Sequence, residues 1–193
     1  QKGLLQRMRE VGAASYEAYF ERVAELAEEQ EEWALLVDSI SIKETSFFRD
    51  SNSYALVSAF LLEQVEKSEA ENTHTLDMWS VGCATGEEAY SLAMVANDVI
   101  DYLAAQCYLT MTATDISRTA LVDAAKGCYK PRRLESITLA QRAKYFTRKN
   151  EKEYEVRPEL KQRIHFAQGN IFDEIHTQPK AMDLIYCQNV LIY

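Results

Sequence analysis

The chain changes rhythm near residue 75. Before that point apolar residues return at helical intervals: Tyr16, Phe20, Val23 and Ala27 stand at i, i+4, i+7 and i+11, beside a row formed by Glu17, Glu21, Glu25 and Glu28. This spacing predicts an amphipathic helix with Ser15 as its N-cap. Trp33, Leu35, Leu36 and Val37 predict a short buried helix that docks this small module, residues 1–40, on the body of the chain. Residues 52–67 form a further amphipathic helix, and a polar loop runs from Glu69 to Thr75. Beyond it, short apolar runs at 76–81, 108–114, 163–167 and 182–187 read as strands. They alternate with helical stretches at 87–104 and 117–126 and with a basic, helical 130–149, which Pro131 separates from the helix before it. Alternation of strands and helices predicts an α/β fold with a parallel sheet and right-handed crossovers.

Ligands of such sheets bind beyond the carboxyl ends of the strands, so the residues at those ends carry the candidate chemistry. They are Gly82, Gly86 and Glu87 after the first strand, where Glu88 also stands at the start of the helix, Thr114-Asp115 after the second, Gly169-Asn170 after the third and Gln188-Asn189 after the fourth. Gly82 and Gly86 let the backbone turn sharply and let a ligand approach its amides. A helix N-terminus attracts anions, so a phosphate site would leave that mouth free of acid. Two glutamates there instead suit a ligand with an ammonium or sulfonium group, and S-adenosylmethionine carries both. Asp115, at the end of the second strand, can accept both hydroxyls of a ribose. Gly82-Cys83-Ala84-Thr85-Gly86 lacks the middle glycine that a pyrophosphate needs, which argues against a nicotinamide dinucleotide. Asn170 and Asn189 can offer amides to a ligand, although asparagine after a strand is also a common turn former.

Composition narrows the class. The 193 residues suffice for one main domain with a small extension, and no apolar run reaches the roughly 18–20 residues needed to cross a bilayer. The N-terminus turns polar too soon for a secretory signal, so a soluble, cytoplasmic protein is expected. Cys83, Cys107, Cys128 and Cys187 form no CxxC pair, and the three histidines show no ligand spacing. Reduced, mostly buried cysteines and no metal are therefore expected. The net charge of -9 conceals a cationic segment: residues 116–150 hold nine Lys/Arg against Asp123 and Glu135, a local balance of +7. That segment is either a solvated surface or a landing strip for an acidic partner. The acidic remainder would repel nucleic acid.

Five ordered stretches carry a specific resemblance. They are Thr45-Ser46-Phe47-Phe48-Arg49, the run from Gly82-Cys83-Ala84-Thr85-Gly86-Glu87-Glu88 into Ala89-Tyr90-Ser91-Leu92-Ala93-Met94, Ala113-Thr114-Asp115-Ile116-Ser117, Gly127-Cys128-Tyr129, and Tyr186-Cys187-Gln188-Asn189-Val190-Leu191-Ile192-Tyr193. In this order the chain resembles the bacterial chemoreceptor glutamate methyltransferases, the CheR family. The resemblance implies a Rossmann-like class I methyltransferase sheet over residues 41–193, with a small all-α module at 1–40. It also implies methyl transfer from S-adenosylmethionine to glutamates on the cytoplasmic helices of methyl-accepting chemotaxis receptors. By motif position Thr45, Arg49, Gly82, Glu87, Asp115, Asn170, Ile171 and Asn189 would line the cofactor site. Asp115 would hold the ribose, Glu87 would stand near the methionyl amine, and Arg49 would be the catalytic residue that orients the acceptor beside the reacting methyl.

The chain departs from the family pattern at Lys43, where Asn is usual, at Ala89 for Pro and at Gln188 for Arg. A cation at Lys43 would oppose a sulfonium unless its stem carries the ammonium outward. Residues 1–40 hold four basic and nine acidic residues, so receptor contact is expected through the 116–150 segment instead. Family members continue past the fourth strand. The sheet is thus expected to be C-terminally incomplete, with an exposed apolar edge that favours self-association. A regulatory domain that binds the cofactor or a receptor without turnover is the alternative reading.

Overall fold

The computed structural model describes residues 2–25, 30–41, 43–71, 75–174 and 181–190. Four strands, β1 (Thr75–Val81), β2 (Tyr108–Asp115), β6 (Ile164–Gln168) and β7 (Leu184–Tyr186), form a parallel sheet in the order β6-β2-β1-β7. Every residue of β1 after Thr75 is buried, which is why its sequence reads as a continuous run rather than an alternation. Inside the sheet the Trp79 indole N–H donates to Thr114 Oγ1 at 3.0 Å, so the one polar atom of that ring is satisfied. Helices α4 (Ser51–Glu71), α5 (Glu87–Leu103) and α6 (Arg118–Lys126) pack on the sheet. Ala89, Leu92, Ala93, Met94 and Ala96 of α5 are fully buried, and Ser117 caps α6 by accepting from the Ala120 amide at 3.2 Å. A parallel sheet flanked by helices is the α/β arrangement expected from the alternation and the Rossmann-like one that the resemblance implied.

The register sets the site. Val81 pairs with Thr114, and Asp115 with Gln168, so the strands end together and bring their following turns to one edge of the sheet.

The stretch 130–149, expected to be helical, is not one helix. A 3-10 turn (Pro131–Leu134) and α7 (Leu139–Tyr145) lead into β4 (Phe146–Asn150), which pairs antiparallel with β5 (Glu153–Val156). That strand pairs in turn with β3 (Cys128–Tyr129). Of β4 only Phe146 is buried and of β5 only Val156, so neither strand offers the period-two alternation that would reveal it. Short helices α8 (Pro158–Lys161) and α9 (Ile171–Glu174) complete the described elements.

The first three helices, α1 (Lys2–Glu10), α2 (Tyr16–Glu25) and α3 (Gln30–Ile40), share a small core of Met8, Tyr19, Val23 and Leu36. Ser15 caps α2, its Oγ accepting from the Ala18 amide at 3.1 Å. The buried stripe differs from the expected one. Phe20 is 71% and Tyr16 52% exposed, whereas Tyr19 is buried and its phenol donates to Glu32 at 2.9 Å, a carboxylate held in turn by Arg7. A phenol that must reach an ion pair fixes the rotation of α2 more firmly than apolar spacing does. Trp33 and Leu35 are likewise exposed, and of that quartet Leu36 supplies the core; Ala27 and Glu28 lie outside the described residues. The four cysteines are free, with Cys83 and Cys107 buried, Cys128 half-buried and Cys187 exposed, so only two match the expected burial.

Candidate functional site

A crevice of about 550 Å³ opens at the carboxyl edge of the sheet. That size falls within the usual range of small-molecule sites, about 300–1,000 Å³. Its back wall is the turn after β1. Gly82 has φ of +74°, and a Cβ there would come within 2.3 Å of Val190 Cγ2, so only glycine fits. The Gly82 and Cys83 amides both donate to the Thr114 carbonyl, at 2.8 and 3.0 Å, which folds the turn over the end of β2. Gly86, at φ of +93°, serves packing instead: a Cβ would meet Ala124 Cβ at 2.9 Å and the Tyr129 hydroxyl at 3.0 Å.

Asp115 lines the crevice and is held on both sides. Its Oδ2 accepts from the Ala84 amide and its Oδ1 from the Ser117 amide, each at 2.8 Å. A carboxylate oxygen has two lone pairs, so each keeps one for a ligand hydroxyl. Behind it Ser117 Oγ donates to Asp38 of α3, and Asp38 also accepts from the Thr119 hydroxyl at 3.3 Å. Lys43 joins this cluster, with Nζ 3.6 Å from Asp38 and donating to Thr119 Oγ1 at 2.5 Å. Its ammonium is therefore tied down outside the crevice lining, and the expected conflict with a sulfonium does not arise. Ile40 and Ser41, at the end of α3 and just beyond it, form part of the crevice wall.

The two glutamates of the first helical turn have different fates. Glu87, expected beside a ligand amine, is fully buried and does not line the crevice. It pairs with Arg133 and accepts from the Thr85 hydroxyl at 2.6 Å; burial still pushes its carboxyl above the ordinary value, against the pull of Thr85 and Arg133. Arg133 also donates to the Thr45 carbonyl at 3.0 Å, so the pair braces the turn against the Thr45–Arg49 segment. Glu88 is the acid that lines the crevice. Only 7% exposed, it accepts from Ser80 Oγ at 2.8 Å and has no ion-pair partner among the described residues. Burial and the Asp115 carboxylate push it up to about 8.

The remaining expected residues, Thr45, Arg49, Gly82, Asn170, Ile171 and Asn189, all reach the crevice. Phe47 is fully buried, edge-on to Tyr129 and Phe146, and anchors the segment that presents Arg49. Arg49 is exposed and uses one donor on the Glu44 carbonyl at 3.2 Å, leaving the rest of its fork free. Asn170 Oδ1 accepts from the Phe172 amide at 3.1 Å, which leaves its amide nitrogen available beside Ile116, Ile171 and Phe172. Asn189 adopts φ of +58°, a conformation that asparagine tolerates better than most residues. Sequence reasoning offered Glu87 and Glu88 together and the resemblance chose Glu87; it missed Arg133, Asp38 and Tyr54, the last of which lines the crevice while stacking on Tyr186. Arg133 and Asp38 gave no signal beyond their charge.

Residues 43–193 match the family model described as CheR methyltransferase, SAM binding domain. The chain belongs to the CheR family. It is 31% identical over 159 residues to the chemotaxis protein methyltransferase of Borreliella burgdorferi, covering 82% of this chain and 56% of that protein. It is 30% identical over 193 residues to that of Escherichia coli K12, covering 98% of this chain and 64% of the relative. A similar 30% identity links it to chemotaxis protein methyltransferase 2 of Vibrio cholerae, with 100% of this chain and 66% of the relative covered. The chain thus spans a little over half to about two thirds of these relatives.

The residues present fit the family's ligand. Asp115 has spare lone pairs for a ribose, and Glu88 is a buried acid at the crevice with no cation to balance it among the described residues, a deficit that an ammonium group would fill.

Proposed function

We propose that this chain is the donor-binding part of a protein-glutamate O-methyltransferase that methylates glutamate side chains of chemotaxis receptors, using S-adenosylmethionine. The carrying observation is the unbalanced Glu88 beside the doubly anchored Asp115, with Arg49 in the lining of the same crevice. The names of the three relatives described above, each a chemotaxis protein methyltransferase, support the choice of acceptor.

In this reading Asp115 accepts the ribose hydroxyls and Glu88 takes the amine, the role that the motif resemblance gave to Glu87. Asn170 and Asn189 offer amides to the base and to the amino-acid end, and Ile116, Ile171 and Phe172 supply an apolar wall for the adenine. Thr45 and Gly82 complete the lining. S-adenosylmethionine supplies an electrophilic methyl group on a sulfonium. A glutamate acceptor is already ionised at neutral pH, so no residue need act as a base. The work left to the protein is in-line positioning and exclusion of water from the acceptor oxygen. Arg49 performs the first by holding one carboxylate oxygen with a guanidinium that cannot protonate it.

Receptor helices would meet the cationic side of the body. Lys126, Lys144 and Lys149 are already paired with acids, which leaves Arg118, Lys130, Arg132 and Arg148 as exposed cations without an ion pair among the described residues. Residues 1–40 act as a separate helical module in this scheme. The protein works in the cytoplasm, where receptor glutamates lie; no described helix is long and apolar enough to cross a membrane.

The test has two arms. Calorimetric titration with S-adenosylhomocysteine should show saturable binding, and incubation with labelled S-adenosylmethionine and receptor membranes should yield base-labile methyl esters. Binding without esters would favour a regulatory domain, and absence of binding would end the proposal.

A further inference from the structure

Glu88 lies where several elements converge. Ser80 of β1 donates to it at 2.8 Å, and the Asp115 carboxylate at the end of β2 repels it. Its field also raises Tyr54 from α4, Cys83 in the turn, Tyr186 of β7 and Cys187 just beyond. Burial and neighbouring acids hold these phenols and thiols in their neutral forms, so the groups that act on Glu88 among the described residues are two hydroxyl-bearing rings, two thiols, a serine and one anion. None can neutralise a charge on it. Yet the side chain lines the crevice, where a ligand can reach it.

We infer that Glu88 reads the charge on the amino-acid end of the ligand: it keeps a proton in the free protein and releases it when an ammonium group enters, so that binding and deprotonation are one event. The inference rests on the S-adenosylmethionine reading of the crevice. The proton leaves the carboxyl group for the buffer, and the ammonium stays protonated and replaces it as the source of positive charge. Near pH 7 most carboxyl groups that titrate at about 8 are protonated. An opposite charge within contact distance lowers such a group by about 1–3 units, and a drop of about 2 or more leaves the bound form largely ionised at pH 7. The bound state then holds fewer protons than the free one. Affinity should therefore rise with pH, by up to about tenfold per unit from roughly pH 6 to 8, and level off where Glu88 is ionised without help. A ligand without an amine gains nothing from Glu88 and releases no proton from it.

The experiment is calorimetry on the full chain at neutral pH in two buffers of different ionisation enthalpy. S-adenosylhomocysteine is compared with methylthioadenosine, which shares the nucleoside and lacks the amino-acid end. The expected result is a buffer-dependent enthalpy for S-adenosylhomocysteine, equivalent to release of most of one proton, and none for methylthioadenosine. Glu88→Gln should remove the buffer dependence and flatten the pH profile. Binding of S-adenosylhomocysteine with no buffer dependence, or with an unchanged one in Glu88→Gln, overturns the inference and leaves the reading of the crevice standing. Failure of both nucleosides to bind overturns that reading and the inference with it. The wild-type comparison of the two nucleosides needs no substitution, so it stands whether or not the variant folds.

Discussion

Removing Arg133 should make the stability of the protein depend on pH in a way that Glu87 alone explains. Glu87 is fully buried, and Arg133 is its one ion-pair partner among the described residues. In Arg133→Ala the carboxylate must either stay ionised without a partner, at about 3–5 kcal/mol, or take up a proton. Protonation sets the ceiling. Relative to an unfolded glutamate near 4.3, holding the neutral form costs about 1.36 kcal/mol per pH unit above that value, or about 3.7 kcal/mol at pH 7 and about 1 kcal/mol at pH 5. The Arg133 side chain is 35% exposed, so water will reach part of the gap; the expected loss is about 2–3 kcal/mol at pH 7. The sign comes from linkage. Glu87 already titrates above its ordinary value, and losing Arg133 raises it further, so the folded variant binds more protons than its unfolded chain and is weakened as pH rises. Urea denaturation at pH 5 and pH 7 measures the difference, and Glu87→Gln in the Arg133→Ala background should recover most of the pH 7 loss. An equal loss at both pH values, or no recovery in the double variant, would assign the cost to the lost bonds with Thr45 and Thr85 and refute the reasoning.

Arg49→Ala should lower methyl-ester formation about 100-fold with S-adenosylhomocysteine affinity little changed, and unchanged turnover would remove Arg49 from the reaction. Asp115→Ala should weaken S-adenosylhomocysteine by roughly 10-fold or more, the loss of hydrogen bonds to a charged acceptor worth about 1.5–3 kcal/mol; calorimetry reads it directly. Gly86→Ala should destabilise the fold by about 1–3 kcal/mol, because the new Cβ meets both the side chain and the backbone of Ala124 and α6 must move; a melting temperature equal to wild type would contradict that packing. The β7 edge, with Ile185 57% exposed, should drive this chain to dimerise, and a single monomeric species in sedimentation would refute it.

Much of this architecture was legible because its causes are local. The run 76–81 buried on both faces, two glycines four residues apart in the turn after it, and an aspartate at the end of the next strand announce themselves in one dimension. Rotation does not. Glu87 and Glu88 are about 100° apart on a helix, and which one faces the crevice is set by the left-handed turn at Gly86, not by either residue type. The same one-residue ambiguity put Tyr19 beside the expected Val23 in the buried stripe of α2, in place of Tyr16 and Phe20, and the Glu32 carboxylate of another helix decided the matter. β4 and β5 escaped notice for a different reason: each buries a single residue, so their pairing rests on backbone bonds that leave no mark on composition. Lys43 read as a hazard only because its partners, Asp38 and Thr119, are made neighbours by the fold.

Those partners have a mechanical consequence. From α3 the linkage passes through the Ser117 hydroxyl to the Ser117 amide, on to Asp115 and from there to Ala84, with no solvent-filled step between the helical module and the loop over the sheet. A lever arm so short transmits tilt: a rotation of α3 reaches the crevice twice, directly at Ile40 and Ser41 and through Ser117 at the Asp115 carboxylate.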